Sequence, residues 1–241
     1  MAAVLITGAA RRLGRSIAIQ FYRKGYDLHI HYHTSEEAAR KLVLDLLDLD
    51  VPSPGKVSLH RCDLGNVEQV KLWGAQLAEQ DPTISVLVNN ASVFYPTAVP
   101  EASTKDWNHI MTTNLQAPYF LAQALLPCLT NNQGNIINLG DIYGDTPKAQ
   151  FSIYSISKSA IHALTKSLAL ELAPRVRVNA IAPGAILWPE DLAEVEINAL
   201  LAEIPLQRQG STQDIAEAVW YLSQASYVTG QILAIDGGKS L

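Results

Sequence analysis

Asp141, Tyr154 and Lys158 are three side chains able to move or hold a proton, and they lie close together in the second half of the chain. Tyr154-Ser155-Ile156-Ser157-Lys158 opens a stretch with helical spacing, and the four-residue separation puts the phenol and the ammonium on one helix face. A tyrosine with its ordinary pKa of about 10 is a poor acid or base near neutrality. An adjacent ammonium favours the phenolate, so Lys158 is expected to lower the Tyr154 pKa. Such a pair is common on exposed helices; its place downstream of Asn89-Asn90-Ala91, Asn114 and Asp141 makes this one a catalytic candidate. Asp141 narrows the chemistry. An ionised carboxylate opposes a ketone oxygen turning into an alkoxide but accepts hydrogen bonds, so a substrate with N–H donors suits it better.

A second cluster can hold phosphate. Thr7-Gly8-Ala9-Ala10-Arg11-Arg12-Leu13-Gly14 follows the first apolar run and opens a helical stretch, the setting a dinucleotide loop requires. Gly8 permits the tight turn, Gly14 lets helix and sheet approach, and the helix N-terminus turns N–H groups toward a pyrophosphate. Arg12 stands where the usual fingerprint has its middle glycine. The second apolar run ends His31-Tyr32-His33-Thr34-Ser35, without the acid that would hold a ribose 2′-OH. Arg12 supplies charge for a 2′-phosphate and His33, Thr34 and Ser35 supply donors, so NADPH is the expected cofactor; Arg11 is expected to be solvated. His29, His31 and His33 alternate along the same run, but with no carboxylate expected nearby they read as a partly buried strand end, and no metal is expected. Cys62 and Cys128 read as free, buried thiols.

These residues need a scaffold that brings loop ends together. Apolar, β-branched runs fall at 3–6, 28–32, 57–60, 84–88, 135–139, 176–181 and 232–235, with helical spacing at 14–24, 36–49, 67–79, 104–129, 154–172 and 212–222. Alternation of this kind predicts an α/β fold: a single Rossmann-type doubly wound parallel sheet of about seven strands with helices on both faces. No linker divides 1–241, so one NADP-binding catalytic domain is expected, with a substrate flap at about 185–205. A net charge of −5 without any basic run argues against nucleic acid and membrane as partners, and a cytoplasmic location is expected.

In order along nearly the whole chain, the glycine-rich loop, Asp63-Leu64, Asn89-Asn90-Ala91, Asn114, YSISK, Pro183-Gly184 and Asp236-Gly237-Gly238 resemble the short-chain dehydrogenase/reductase family. The resemblance implies that Tyr154 is the proton donor, that Lys158 binds the nicotinamide ribose, and that Asn114 positions a water relay. It also implies that Asp63, with Leu64, meets the adenine, that Asn89 and Ala91 line the cofactor, and that Pro183-Gly184 approaches the nicotinamide. Carbonyl reductases of the family have a serine where this chain has Asp141. That departure, together with TGAARRLGRSIA, HYHTS and NNASVFYPT, is similar to the pteridine reductases. Phe94 matches the phenylalanine that stacks on the pterin and Arg12 an arginine reaching both cofactor and pterin; loop packing is the alternative for Phe94. The resemblance weakens after strand six, where Leu187 and Trp188 are candidates to line the substrate pocket, packing within the flap being the alternative for Trp188. The reading is NADPH-dependent reduction of a pteridine, dihydrobiopterin-like or a folate, by a homotetramer. Reduction of another small carbonyl or imine compound is the alternative. So is a non-catalytic NADP sensor, which would have no use for a proton donor.

Overall fold

The computed structural model describes residues 1–188 and 193–241. Seven parallel strands form one sheet in the order β3-β2-β1-β4-β5-β6-β7. They are β1 (Ala3–Ile6), β2 (Asp27–Tyr32), β3 (Val57–Arg61), β4 (Ile84–Asn89), β5 (Asn135–Leu139), β6 (Arg177–Pro183) and β7 (Ile232–Ile235). The helices among the described residues are α1 (Arg12–Arg23), α2 (Glu36–Leu47), α3 (Val67–Gln80), α4 (Thr104–Met111), α5 (Ala117–Asn131), α6 (Ser152–Leu172), α7 (Glu194–Ala202) and α8 (Thr212–Gln224).

Strand alternation divides the core in two. Val4 and Ile6 of β1 face α1, α2 and α8 through Ile17, Phe21, Leu42, Ile215 and Val219. Ala3 and Leu5 face α3, α5 and α6 through Val70, Leu77, Leu121, Leu125 and Leu168. With both faces covered, hydrophobic side chains are wanted on both sides of each strand, which is why the runs are apolar almost without interruption. The chain winds outward in opposite directions from β1 and β4, and loops leaving those two strands part to open a crevice at their carboxyl ends.

Helix starts are fixed by short polar side chains. Ser103 with Asp106 and Ser211 with Asp214 form capping boxes at α4 and α8, and the Asn66 side chain accepts the Gln69 amide at α3. The stretch expected as one helix over 104–129 is broken: a π-turn, Thr112–Gln116, separates α4 from α5 and carries Asn114. Strand six runs one residue later at its start and two later at its end than the apolar run indicated, through Pro183. The expected flap contains α7, but its 189–192 portion lies outside the described residues. No helix among the described residues is long and apolar enough to cross a membrane.

Candidate active site

The loop after β1 is built as the glycines required. Gly8 has φ +62°, and a Cβ there would meet the Ala91 backbone at 3.0 Å; one on Gly14 would lie 2.4 Å from the Gly8 carbonyl oxygen. Thr7 ties this loop to the one after β4: its hydroxyl oxygen accepts the Asn90 and Ala91 amides at 2.9 and 3.0 Å, while Asn90 Nδ2 donates to the Thr7 and Gly8 carbonyls. Arg12 has a left-handed backbone, φ +53°, of the kind that favours glycine, with its side chain exposed. Arg11, the N-cap of α1, is exposed as well.

A cavity of about 740 Å³ occupies the crevice beside this loop. Of the residues singled out in the sequence, Gly8, His33, Asp63, Leu64 and Ala91 line it. His33 and Asp63 approach to 3.8 Å across its outer edge. Thr34 is exposed, Ser35 stands at the N-cap of α2, and Leu13 packs on the core beside the loop. Asn89 does not face the cavity: its side-chain amide donates to Asn138 Oδ1 at 2.8 Å within the sheet, because its position on β4 pairs directly with Asn138 on β5. Pro183 closes β6, and Gly184 packs on Asp236, where a Cβ would come within 2.4 Å of that residue's Cβ. Leu187 is exposed and Trp188 half-buried at the last residues described before 189–192.

Lys105, Asn108, His109 and Thr112 from α4 and the π-turn form a cavity wall that the sequence did not disclose. His31 is a further addition. Its ring is buried between two backbone groups: Nδ1 accepts the Gly8 amide at 3.1 Å and Nε2 meets the Cys62 carbonyl at 3.0 Å. An N–H on one side and a C=O on the other require the neutral tautomer protonated at Nε2. Burial pushes the ring down to about 4. The expectation of no carboxylate near these histidines is corrected, since Asp81 reaches His29 Nε2 at 2.8 Å and His29 Nδ1 meets His60 at 2.9 Å. Asp81 follows α3, so only the packing of that helix on the sheet brings it there.

A proton on His31 would face the Gly8 N–H, and acid should therefore unfold the protein through this residue. Its folded pKa lies below the unfolded value of 6.5, so as pH falls the unfolded chain takes the proton first; stability present above pH 6.5 is lost from there down to about 4. By pH 4.5 the loss through His31 is about 2 to 3 kcal/mol. Urea unfolding at pH 7.5 and 4.5 should show wild type losing that much more than His31→Gln, and equal losses would discharge His31 from the effect.

Tyr154 and Asp141 meet each other, although neither is among the residues that line the cavity of about 740 Å³. The start of α6 and the turn after β5 bring the Tyr154 hydroxyl to Asp141 Oδ2 at 2.7 Å, while Asp141 Oδ1 accepts the Tyr143 amide at 2.9 Å. Lys158 is buried and its ammonium donates to the Leu139 carbonyl at 2.7 Å, 5.6 Å from the Tyr154 ring centroid. Burial lowers the Lys158 ammonium to about 8, the charge of Asp141 working against that. Burial raises the Asp141 carboxyl, opposed by its two donors. The expected lowering of Tyr154 is corrected: burial, and then the adjoining Asp141 charge, push the phenol upward. Lys158 is spent on a carbonyl, and the phenol's direct partner is an anion. Tyr154 is thus held protonated, as a weaker acid than a free phenol.

Asn114 holds the neighbourhood together. Its Oδ1 accepts the Val93 amide at 2.8 Å, and its Nδ2 donates to the Val93 carbonyl and to Ser157 Oγ, both at 3.1 Å. Beyond Val93, Phe94 is 50% exposed. Its ring stacks on Phe151 (4.5 Å, 13°) and meets Tyr154 edge-on at 4.7 Å. The loops bearing the two phenylalanines are joined where the Thr97 amide donates to Gln150 O at 2.6 Å and Ser152 Oγ donates to Thr97 O. Phe151 was not anticipated, although its place three residues before Tyr154 was a usable signal.

A family model described as enoyl-(acyl carrier protein) reductase matches residues 8–240. The chain is a short-chain dehydrogenase/reductase. Among curated relatives, 3-oxoacyl-[acyl-carrier-protein] reductase FabG of Staphylococcus aureus (strain Mu50) is 33% identical over 240 residues, 97% of this chain and 96% of that one. The uncharacterized oxidoreductase YohF of Escherichia coli (strain K12) is 33% identical over 98% of this chain and 95% of its own. Among solved structures, FolM alternative dihydrofolate reductase 1 from Brucella canis, complexed with NADP, superposes with a TM-score of 0.88 at 32% identity, covering 99% of this chain and 94% of that one. A blue fluorescent protein from a metagenomic library, in complex with NADPH, gives 0.89 at 29% identity over 100% and 98%. Within this short-chain dehydrogenase/reductase, the departure at Asp141 is thus a direct hydrogen-bond partner of the tyrosine.

Proposed function

We propose that this oxidoreductase uses NADPH to reduce a C=N bond of a pteridine, dihydrobiopterin-like or a folate. The Asp141–Tyr154 hydrogen bond beside a half-exposed phenylalanine is the observation that carries the reading. The crevice suits the cofactor, since Gly8 and Gly14 leave a backbone cradle that a Cβ would fill, and the end of β2 offers His33, Thr34 and Ser35 with no acid among them. NADPH, when bound, supplies the hydride. Gly8 and Gly14 admit the pyrophosphate, Arg12 neutralises the 2′-phosphate, and Asp63, Leu64 and Ala91 enclose the adenine end. Tyr154 Oη gives its proton to a ring nitrogen. Asp141 accepts substrate N–H groups on the lone pairs left by Tyr143 and Tyr154, and Phe94 offers its exposed face to a flat ring. Asn114 and Lys158 hold these groups in position. Exposed apolar residues on α4, α5 and α6, among them Trp107, Tyr119, Ile156 and Leu170, fit the expected homotetramer, which light scattering would test.

The FabG relatives favour a second substrate, a 3-oxoacyl thioester. An anion hydrogen-bonded to the proton donor opposes the alkoxide that such a substrate forms. Dihydrobiopterin, dihydrofolate, a 3-oxoacyl thioester and an aromatic ketone should be assayed with NADPH on wild type, Asp141→Ser and Phe94→Ala. Wild type is expected to reduce the pterins; Phe94→Ala should raise their KM about tenfold, and Asp141→Ser should harm them more than it harms the ketone, each loss being on the order of 1 to 2 kcal/mol. Wild type turning over the thioester or ketone while ignoring both pterins would end the pteridine reading and leave the family assignment intact.

A further inference from the structure

A cation stands over the aromatic cluster, and its charge also helps to restrain the raised Asp141 carboxyl. Lys148 lies in the segment between the Asp141 turn and α6, and its Nζ is 5.0 Å from the ring centroid of Phe151, 5.1 Å from that of Tyr143 and 5.7 Å from that of Phe94. Its backbone is anchored: the Lys148 amide donates to Ser155 Oγ at 3.2 Å and its carbonyl accepts the Phe151 amide at 3.1 Å. The ion pairs among the described residues do not include it. Tyr154 meets Phe94, Phe94 stacks on Phe151, and the ammonium stands over Phe151, Tyr143 and Phe94 together. A flat ring lying along Phe94 with its reacting edge at Tyr154 and Asp141 directs whatever it carries at the other end toward that ammonium.

We infer that Lys148 binds an anionic group on the far end of the substrate, a carboxylate-bearing tail, and so sets a preference for tailed over untailed rings. The inference rests on the pteridine reading for the ring and on the placement of Lys148 for the tail. A lysine that merely covered the aromatic rings would serve every substrate alike; one that pairs with a tail separates two substrates with the same ring.

The experiment measures kcat/KM for dihydrofolate and dihydrobiopterin on wild type, Lys148→Met and Lys148→Glu at low and high salt. The ratio of the two values should fall about fivefold in Lys148→Met, the upper range for an exposed charge pair, and further in Lys148→Glu. In wild type that ratio should also fall with added salt, and in Lys148→Met it should not. Parallel changes on both substrates, or none, would overturn the inference while leaving the pteridine reading in place. If wild type reduces neither pterin, that reading fails, and the same variants are then compared on a 3-oxoacyl thioester of coenzyme A, which carries phosphates, and on the N-acetylcysteamine thioester, which does not. Loss confined to the phosphorylated member upholds the anion site; equal response, or no turnover, overturns it.

Discussion

Tyr154→Phe is expected to lower kcat by about 10² to 10⁴, the usual worth of a positioned general acid, in a protein that still folds. The substitution removes the hydroxyl 2.7 Å from Asp141 and keeps the ring against Phe94. Its residual activity should have a changed pH profile. Asp141 loses one of the two donors that restrain its raised carboxyl, so it is protonated at higher pH and can itself supply a proton as the solution is acidified. Wild-type kcat/KM should instead decline as pH rises through about 8, where the buried Lys158 ammonium loses its proton. Steady-state kinetics from pH 5 to 9, with circular dichroism to show folding, test both statements. Near-normal turnover by Tyr154→Phe would assign the proton to another donor.

The second large effect belongs to Arg12, and two substitutions separate its charge from its backbone. Both Arg12→Ala and Arg12→Gly remove the guanidinium, so each should lower the preference for NADPH over NADH by about 10- to 100-fold, corresponding to a charge-assisted contact of roughly 1.5 to 3 kcal/mol. Their stabilities should differ. At φ +53° a Cβ costs about 1 to 2 kcal/mol that glycine avoids, so Arg12→Gly should melt at least as high as wild type and above Arg12→Ala. Equal kcat/KM for NADH and NADPH in wild type would remove the reason for the arginine. If Arg12→Ala proved the more stable variant, the left-handed backbone would not be a source of strain.

What the sequence disclosed was whatever depends on local periodicity or on residues close together in the chain. Apolar runs with both faces buried identify the strands, the glycine spacing identifies the loop, and the i,i+4 separation identifies Tyr154 with Lys158. What it concealed depends on packing at a distance. Asn89 sits in a motif expected to line the cofactor, yet parallel pairing with β5 gives it Asn138 as a partner. Lys158 is in register with Tyr154 along the helix, but the carbonyl of Leu139, from another element, captures its ammonium. The π-turn at Asn114 is invisible to a 3.6-residue period, because the residues on either side keep their helical pattern. His31 looked like one of three alternating histidines; only the return of the chain through Gly8 and Cys62 shows why an imidazole is there.

That imidazole bears on how the crevice receives a ligand. Through its two nitrogens, His31 fastens Gly8, in the loop after β1, to Cys62 at the end of β3, while Thr7 and Asn90 fasten the same loop to the end of β4. Four strand ends, with β2 supplying the imidazole, are bonded to one another by groups supplied wholly by the protein. Fixing a backbone residue costs about 1 to 2 kcal/mol of conformational entropy, and here that cost is met when the chain folds instead of when a ligand arrives. The free enzyme therefore presents a preorganised cradle, and the affinity of its occupant is not taxed by ordering the loop that holds it.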